Sequence, residues 1–297
     1  MKKFYIRALN KAGLLKNVSV SSKKEMNGQT FNIPVINKVG FLNLFPHEAW
    51  MPEVLKYLFK IKKGAFIDVG ANTGQTLLAV KSIDKNIPYI GFEPNPACVL
   101  YLRELIRQND LKDVTLYPCG IAERSSMLTL NFFSEDSTDP MASIVENFRP
   151  DQKTFRQEFV PCFRFDQIEG LSDKDVAVIK IDVEGGESEV LKGMRTLIEK
   201  KRPLILIEIL PVYKAENTER LQRQAEIETM MAELNYSIAR IWKHSPLDFH
   251  FMRKGIGIHE DINFCDYVLL PQEMEESFYC DSQKSFAKKK EEMDGTE

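Results

Sequence analysis

Phe66-Ile67-Asp68-Val69-Gly70-Ala71-Asn72-Thr73-Gly74-Gln75-Thr76 is the stretch that decides how this chain folds. A short apolar run ends in an acid, turns through two glycines and enters a segment that predicts a helix. Glycine permits the positive φ angles of a tight turn and lets the backbone approach a ligand closely. Seventeen residues after Gly74, the segment Gly91-Phe92-Glu93-Pro94 ends a second apolar run in another acid.

This layout is typical of a nucleoside-binding site at the carboxyl edge of a parallel sheet. In such a site, the acid that ends the second strand accepts hydrogen bonds from ribose hydroxyls. A third apolar run, residues 176–181, leads into Asp182-Val183-Glu184-Gly185-Gly186-Glu187 and adds carboxylates to the same edge. Together these features predict an enzyme.

Strands and helices alternate regularly from residue 65 onwards. This alternation predicts an α/β fold with a mostly parallel sheet and helices on both faces. Residues 41–61 predict a helical lead-in, and the region 120–175 predicts two further strands, 127–133 and 159–165, with a loop at 134–150. The predicted strands of the main sheet are 65–69, 89–92, 114–117, 176–183, 204–209, 237–241 and 267–270, and the predicted helices are 75–83, 97–108, 187–199 and 218–234.

The composition of the 297 residues limits the class of protein. A formal net charge of −3 gives no global attraction to nucleic acid or to a membrane. The five cysteines form no C-x-x-C pair and are odd in number, which argues against a disulfide framework or a zinc knuckle. No apolar run reaches the roughly 18 residues of a membrane span, and no signal-peptide pattern is present. We therefore expect a cytoplasmic protein without stable membrane insertion.

The two ends of the chain differ in character from its centre. The first 25 residues hold seven basic side chains and one acid, Glu25. Such a segment could hold an acidic substrate or a membrane surface, although a solvated, partly helical appendage is the interpretation we favour. Residues 281–297 are polar and predict disorder. We divide the chain into a basic N-terminal extension with its helical lead-in (1–63), a central domain (64–271) and a polar tail (272–297).

Three kinds of nucleotide site compete for the glycine turn. A P-loop requires G-x-x-x-x-G-K-[ST], and here Gly74 follows Gly70 by four positions and precedes Gln75. A dinucleotide site requires G-x-G-x-x-G, which the turn lacks. Short-chain dehydrogenases also need a lysine four residues after a tyrosine, and none of the nine tyrosines has one. A nicotinamide-dependent, sugar-modifying oxidoreductase therefore stays only as an alternative, beside a non-catalytic nucleoside-binding module.

The remaining pattern is D-x-G-x-x-x-G with an acid closing the next strand. It resembles class I S-adenosylmethionine-dependent methyltransferases, and within that class the chain resembles the FkbM family over about residues 64–271. The most specific match is Ile179-Lys180-Ile181-Asp182-Val183-Glu184-Gly185-Gly186-Glu187, although the family usually carries alanine where this chain has Gly186. The resemblance implies a Rossmann-like fold with a seven-stranded sheet whose last strand is antiparallel. Further matches lie at residues 67–74, 92–95, 165–168, 190–193 and 203–208.

The resemblance also implies which residues hold the donor S-adenosylmethionine. The glycine turn would pass beneath the methionine portion, with Asp68 holding the turn or meeting the amino group of the donor. Glu93 would accept both ribose hydroxyls, and the segment after the third strand would border the adenine. The expected cofactor-binding residues are Asp68, Gly70, Ala71, Asn72, Thr73, Glu93, Pro94, Cys119, Gly120 and Ile121.

Four residues are candidates for the chemistry. Asp182 lies where the reacting methyl group sits in this fold, as base or as ligand of the acceptor hydroxyl. Glu184 and Glu187 follow it, although acids near the start of a helix are also favoured by its dipole and capping needs. His259 is the histidine that we expect near the acceptor, since its unperturbed pKa lies near neutrality. A divalent cation shared by Asp182 and Glu208 is a weaker alternative.

The resemblance implies O-methylation of a hydroxyl on a sugar, a glycan or a related natural product. A small-molecule or lipid-linked acceptor is the next expectation. A nucleic-acid acceptor calls for a basic, aromatic-studded face, which the net charge of −3 does not favour. Segment Asp139-Pro140-Met141-Ala142-Ser143 is a further candidate for acceptor contact, although it can equally be a simple turn.

Overall fold

The computed structural model describes residues 2–46, 48–145, 152–171, 173–214, 216–245 and 248–282. The helices in chain order are α1 (Lys2–Lys11), α2 (Trp50–Ile61), α3 (Gln75–Ile83), α4 (Pro96–Gln108), α5 (Glu187–Gly193), α6 (Arg195–Lys201) and α7 (Thr218–Glu233). The strands are β1 (Ser19–Met26), β2 (Gln29–Ile36), β3 (Ala65–Val69), β4 (Tyr89–Phe92), β5 (Val114–Tyr117), β6 (Gly120–Ile121), β7 (Ser126–Phe132), β8 (Arg156–Phe163), β9 (Val176–Ile181), β10 (Leu204–Glu208), β11 (Tyr236–Ser245), β12 (Asp248–Arg253) and β13 (Asp266–Pro271).

The main sheet has the order β12-β11-β13-β10-β9-β3-β4-β5 across the described residues. Strands β10, β9, β3, β4 and β5 are parallel, and β13 runs antiparallel between β10 and β11. Every residue of β3 and β9 is buried, because helices cover both faces of a parallel sheet. The α/β class and the antiparallel last strand are confirmed.

Within the described part of the chain, the main sheet holds eight strands rather than the expected seven. The additional strand is β12, which pairs with β11 in antiparallel register, and β11 itself extends four residues past Ile241. Phe249 and Phe251 of β12 alternate inward onto the core. The periodic signal of β12 is weak, because only two inward apolar residues lie among histidine and charged neighbours. The sequence therefore predicts a connection here rather than a strand.

The N-terminal region is packed onto the central domain rather than forming a separate appendage. Strands β1 and β2 form a hairpin, and Phe31, Ile33 and Val35 of β2 are buried in the same apolar cluster as α2 and α4. Lys24 is buried, and its Nζ donates to the carbonyl of Phe45 at 2.9 Å. The division after residue 63 stays a prediction about domain limits, since the core is continuous across it.

The core also continues beyond Pro271. Residues 275–282 are helical, and Phe278 is fully buried, where its carbonyl accepts a hydrogen bond from the hydroxyl of Tyr57. The division after residue 271 therefore also stays a prediction. Residues 283–297, which make up most of the segment expected to be disordered, lie outside the described residues.

Two differences from the expected elements lie near the carboxyl edge. The helix expected at 187–199 is broken at Met194, where Gly193 approaches Ala122 so closely that an added Cβ would lie 2.3 Å from its carbonyl oxygen. The two extra strands exist as β7 and β8, which join β6 in a small second sheet. The loop expected at 134–150 follows β7, and its residues 146–150 lie outside the described part of the chain. Among the described residues, no helix is long and apolar enough to span a bilayer.

Candidate active site

A cavity of about 600 Å³ lies at the carboxyl ends of β3, β4, β9 and β10. Its walls come from the turn after β3, the ends of the neighbouring strands, the loop after β7 and the segment before α2. Cavities of roughly 300–1,000 Å³ are usual for small-molecule sites. The polar or charged side chains in the wall include Asn10, Lys38, Glu48, Asn72, Thr73, Gln75, Glu93, Asn95, Asp136, Asp139, Lys180, Asp182, Glu184 and Glu208.

The turn after β3 forms the floor of the cavity. Gly70 has φ +90°, and a Cβ at this position would lie 1.9 Å from the carbonyl oxygen of Asp182. The amide of Asp182 donates to the carbonyl of Val69 at 3.1 Å, which draws the ends of β3 and β9 together. Only glycine fits this close approach, because any side chain would force the two strand ends apart. Asn43 supports the turn from outside, with its Nδ2 donating to the carbonyl of Thr73 at 2.7 Å.

Glu93 is buried at the end of β4 and contacts two backbone amides. Its Oε2 accepts from the amide of Asn72 at 2.7 Å, and its Oε1 accepts from the amide of Asn95 at 2.8 Å. Burial raises the pKa of Glu93 to about 7, although these two amides act in the opposite direction. Each carboxylate oxygen can accept more than one hydrogen bond, so capacity for hydroxyl donors remains.

Asp68 lies beneath the floor and does not line the cavity. It is fully buried, and its Oδ2 accepts a hydrogen bond from the hydroxyl of Tyr89. Burial raises the pKa of Asp68 to about 6, against the opposing effects of Lys180 and of the bond from Tyr89. Its Oδ1 has no hydrogen-bond partner among the residues that the structure describes. This position suits an acid that links β3 to β4 through Tyr89.

Lys180 and Asp182 form an ion pair at the end of β9. The Nζ of Lys180 lies 2.8 Å from the Oδ2 of Asp182, and the lysine is almost completely buried. Burial alone would lower the pKa of Lys180, but the carboxylates of Asp182 and Asp68 outweigh it and hold the pKa above its ordinary value. Lys180 is therefore a fixed cation that faces the carboxylate of Asp182.

Glu208, at the end of β10, has the opposite electrostatic setting. Burial and the neighbouring carboxylates of Asp182 and Asp266 raise the pKa of Glu208 well above its ordinary value. The thiol of Cys265 donates to its Oε1 at 3.2 Å. At neutral pH Glu208 is thus a neutral carboxylic acid at the cavity wall. Among the described residues, no group of three or more His, Cys, Asp or Glu side chains is arranged to hold a metal ion.

The turn between β9 and α5 is held by its own side chains. Glu184 has φ +55° and Gly185 has φ +104°, and the Oε1 of Glu187 accepts from the amide of Gly185 at 2.9 Å. Burial raises the pKa of Glu187 to about 7. Glu187 does not line the cavity, whereas Glu184 does. The geometry gives Glu187 a role in holding this turn, and its catalytic role stays a prediction.

The loop after β7 forms the outer wall and is built around Asp139. Its Oδ2 accepts from the amides of Phe133 and Ser134 at 2.7 and 2.9 Å, and its Oδ1 accepts from the amide of Met141 at 3.0 Å. Ser143 then ties the loop to the β9–α5 turn, because its hydroxyl donates to the carbonyl of Glu184 at 2.7 Å. The candidate segment 139–143 therefore lies at the cavity, with Asp139 in a structural role.

A family model for the methyltransferase FkbM domain matches residues 68–238, which is more than half of the chain. The chain belongs to the FkbM methyltransferase family. The match begins at Asp68 and includes the glycine turn, Glu93 and the ion pair of Lys180 and Asp182. Membership of a methyltransferase family does not favour the nicotinamide alternative.

Curated relatives of this FkbM chain are also methyltransferases by name. "Methyltransferase 1" of Beauveria bassiana is 27% identical over 146 residues, which cover 43% of this chain and 57% of that protein. "Methyltransferase sdnD" of Sordaria araneosa is 28% identical over 153 residues, which cover 43% of this chain and 59% of that protein. The chain thus spans less than two thirds of the length of these relatives. Methyltransferase FkbM from Methylobacillus flagellatus KT, a crystal structure, aligns with TM-score 0.45 and 18% identity over 70% of this chain and 43% of that one.

The cavity fits S-adenosylmethionine, the donor of class I methyltransferases. Glu93 would hold the ribose, since a carboxylate with spare acceptor capacity suits a pair of hydroxyls. Pro94 and Ile121 give the cavity wall apolar surface beside Glu93, as an adenine ring requires. The turn at Gly70 and Ala71 would lie along the methionine portion.

Most of the expected site residues line this one cavity, and four do not. Asp68 and Glu187 lie behind the wall as described above, and Cys119 is buried in the core beside Ile121. His259 packs against β13, where its Nε2 lies 3.3 Å from the hydroxyl of Tyr267, and burial lowers its pKa. The geometry gives His259 no support as a catalytic group. The residues that the structure brings together are Gly70, Ala71, Asn72, Thr73, Glu93, Pro94, Gly120, Ile121, Asp182 and Glu184.

Sequence reasoning missed two contributions to the site. The first is Lys180. A lysine within the otherwise apolar β9 is itself a signal, because a charge buried on a parallel strand requires a charged partner. The second contribution is the N-terminal region, which supplies Asn10, Glu48 and residues 38–42 to the cavity wall. No sequence pattern places that region there, since its position depends on the packing of the β1–β2 hairpin.

Proposed function

We infer that this protein is an S-adenosylmethionine-dependent O-methyltransferase that acts on a hydroxyl of a sugar, a glycan or a related natural product. The observation that carries the proposal is that one cavity is lined by Glu93, by the glycine turn and by the two acids Asp182 and Glu208. We also propose a cytoplasmic location, because all five cysteines are free thiols and the cytoplasm keeps thiols reduced.

When bound, S-adenosylmethionine supplies an electrophilic methyl group that needs no further activation. The protein must therefore position the acceptor oxygen and receive its proton. Alignment of two reactants can supply roughly 7–11 kcal/mol, whereas a general base contributes about 10²–10⁴-fold. We expect alignment by the cavity walls to give most of the rate enhancement.

Asp182 and Glu208 are suited to different tasks because their surroundings differ. Lys180 pairs with Asp182, which keeps a carboxylate at the cavity to accept the hydrogen bond and then the proton of the acceptor hydroxyl. Glu208 carries a raised pKa and is protonated at neutral pH, so it can donate a hydrogen bond to a second oxygen of the acceptor. Two acids in different electrostatic surroundings are a usual arrangement for such a division of labour.

A polyhydroxy acceptor is supported by the chemistry of the cavity wall. Glu48, Asp182, Glu184 and Glu208 all contribute oxygen atoms to it. Acidic side chains form hydrogen bonds with hydroxyls, whether the acid is ionised or neutral, and those that are ionised repel anions. This favours a neutral saccharide portion over a phosphate group at this end. The same oxygens could bind a hydroxylated metabolite, so both belong to the acceptor class proposed.

The test uses methyl-labelled S-adenosylmethionine and a panel of oligosaccharides, nucleotide sugars and hydroxylated natural products. Mass spectrometry and linkage analysis of the products then locate the label. Label on a hydroxyl oxygen of a saccharide or hydroxylated metabolite supports the proposal. Label on protein or nucleic acid overturns the acceptor class. Donor binding in calorimetry with no label on any acceptor supports a non-catalytic nucleoside-binding module, and a protein that binds no donor overturns the proposed activity.

A further inference from the structure

Helix α1 carries an exposed apolar stripe that neither the fold nor the cavity explains. Phe4 is 74% exposed and Tyr5 is 61% exposed, and Ala8 and Ala12 follow them on the same side. The opposite side of the helix faces inward, where Ile6 is buried and Leu9 packs on the core. Residues at spacings of three and four share one face of a helix. The stripe is exposed to solvent because the opposite side of the helix packs on the core.

The surface around this stripe is basic and contains further exposed apolar groups. Lys11 and Lys16 are exposed, and Leu14 beside them is exposed as well. Residues 2–24 contain no acid at all, although the whole chain has a net charge of −3. We give the name α1 face to Phe4, Tyr5, Ala8, Lys11 and Ala12, together with the exposed Leu14 and Lys16 of the short 3₁₀ helix that follows α1.

We propose that the α1 face docks on an anionic lipid bilayer. An amphipathic helix with aromatic residues on one side and lysines beside them lies in the headgroup region, where the rings enter the acyl boundary and the lysines meet anionic lipids. Charge complementarity selects the bilayer as partner, because the local charge is strongly positive in an otherwise slightly acidic protein. A single-stranded nucleic acid would use the two rings for stacking, but the aliphatic Leu14 and the two alanines offer it nothing.

The docked orientation brings the cavity close to the membrane. Asn10 of α1 lines the cavity, and so does Leu42, which is itself 60% exposed. Because α1 itself supplies Asn10 to the cavity wall, docking through α1 would hold the cavity near the bilayer surface, within reach of an amphiphilic acceptor. Docking itself does not depend on which acceptor the protein methylates, or on whether it methylates one.

The experiment is vesicle flotation of the full chain with phosphatidylcholine alone and with phosphatidylcholine mixed with phosphatidylserine. We expect binding to the mixed vesicles that falls as salt is raised, and weaker binding to phosphatidylcholine alone. Removal of both rings in the Phe4→Gln/Tyr5→Gln double variant should lower the partition coefficient about tenfold or more, because each buried ring contributes strongly. Glutamine keeps the helix propensity of both positions.

A matched control is the Met127→Gln/Phe159→Gln double variant, which removes two apolar side chains of similar exposure, 59% and 77%, from the small second sheet. It should float like the wild type. A second test variant, Lys11→Gln/Lys16→Gln, should lose the preference for anionic vesicles while its donor binding stays unchanged. The proposal is overturned if the wild type floats with neither vesicle, or if the ring variant floats like the control. Binding of a single-stranded RNA oligonucleotide without vesicle binding would reassign the face to nucleic acid.

Discussion

Asp182 lines the cavity and pairs with Lys180 at 2.8 Å. Replacing Asp182 therefore tests its role in proton transfer separately from donor binding. Asp182→Asn keeps the shape of the side chain but removes the charge that receives the proton. We expect turnover to fall at least ~10²-fold, with the dissociation constant for S-adenosylmethionine nearly unchanged. Rates come from label transfer and affinities from calorimetry. His259→Gln is the control and should retain activity, since His259 does not line the cavity; normal turnover in Asp182→Asn would remove Asp182 from the mechanism.

Glu93 makes donor binding depend on pH. Its pKa is raised to about 7 by burial, so it is largely protonated below that pH and accepts hydroxyl donors fully only above it. Between about pH 6 and about pH 8, affinity for S-adenosylmethionine should therefore rise roughly tenfold, in proportion to the ionised fraction. In Glu93→Gln the affinity should be roughly ten- to hundredfold lower, and its pH dependence should be flat. Calorimetry of both proteins across this range tests the assignment, and equal slopes would attribute the titration to another group such as Glu187.

Asp139 determines the shape of one element, the loop after β7. Its carboxylate accepts from three backbone amides, those of Phe133, Ser134 and Met141. Asp139→Asn replaces one acceptor oxygen by a donor, so at least one amide faces an NH₂ group. We expect the free energy of unfolding to fall by about 1–3 kcal/mol and these amides to exchange faster with deuterium. Glu135→Gln, an exposed change in the same loop, is the control, and unchanged exchange in Asp139→Asn would show that the loop is held by other contacts.

Elements with a strong local pattern could be predicted from the sequence, and elements defined by partners could not. Strands β3, β9 and β10 are short apolar runs beside glycine turns and acids, so both their existence and the position of the site at their ends follow from periodicity. The break between α5 and α6 depends on the close approach of Gly193 to Ala122, which lies 71 positions earlier in the chain. No local sequence pattern can indicate a contact between residues so far apart in the chain, so the sequence predicts one continuous helix.

At the scale of the whole molecule, the part of the site that would bind the donor could be predicted from the sequence, and the rest of the site could not. The turn at Gly70 and the acid at Glu93 belong to one βαβ unit whose spacing is visible in the sequence. Asn10 and residues 38–42 form their part of the wall because the β1–β2 hairpin packs on the central domain. Strand β1 is polar and basic, and its sequence therefore predicts a solvated segment. Its true place follows from β2, where Phe31, Ile33 and Val35 are buried against the domain.

The integration of this hairpin into the core gives a prediction about cooperativity. Ile33 is fully buried in the cluster shared by β2, α2 and α4, so Ile33→Ala leaves a cavity in the common core. We expect a loss of about 2–5 kcal/mol in a single urea transition, followed in parallel by circular dichroism and by the fluorescence of Trp50 and Trp242. Leu14→Ala, an exposed change in the same N-terminal region, should stay within about 0.5 kcal/mol of the wild type. If the N-terminal region were an independent unit, two transitions would appear, and Ile33→Ala would move only the first of them. A single displaced transition would instead show that the donor cavity and its N-terminal wall fold and unfold as one body.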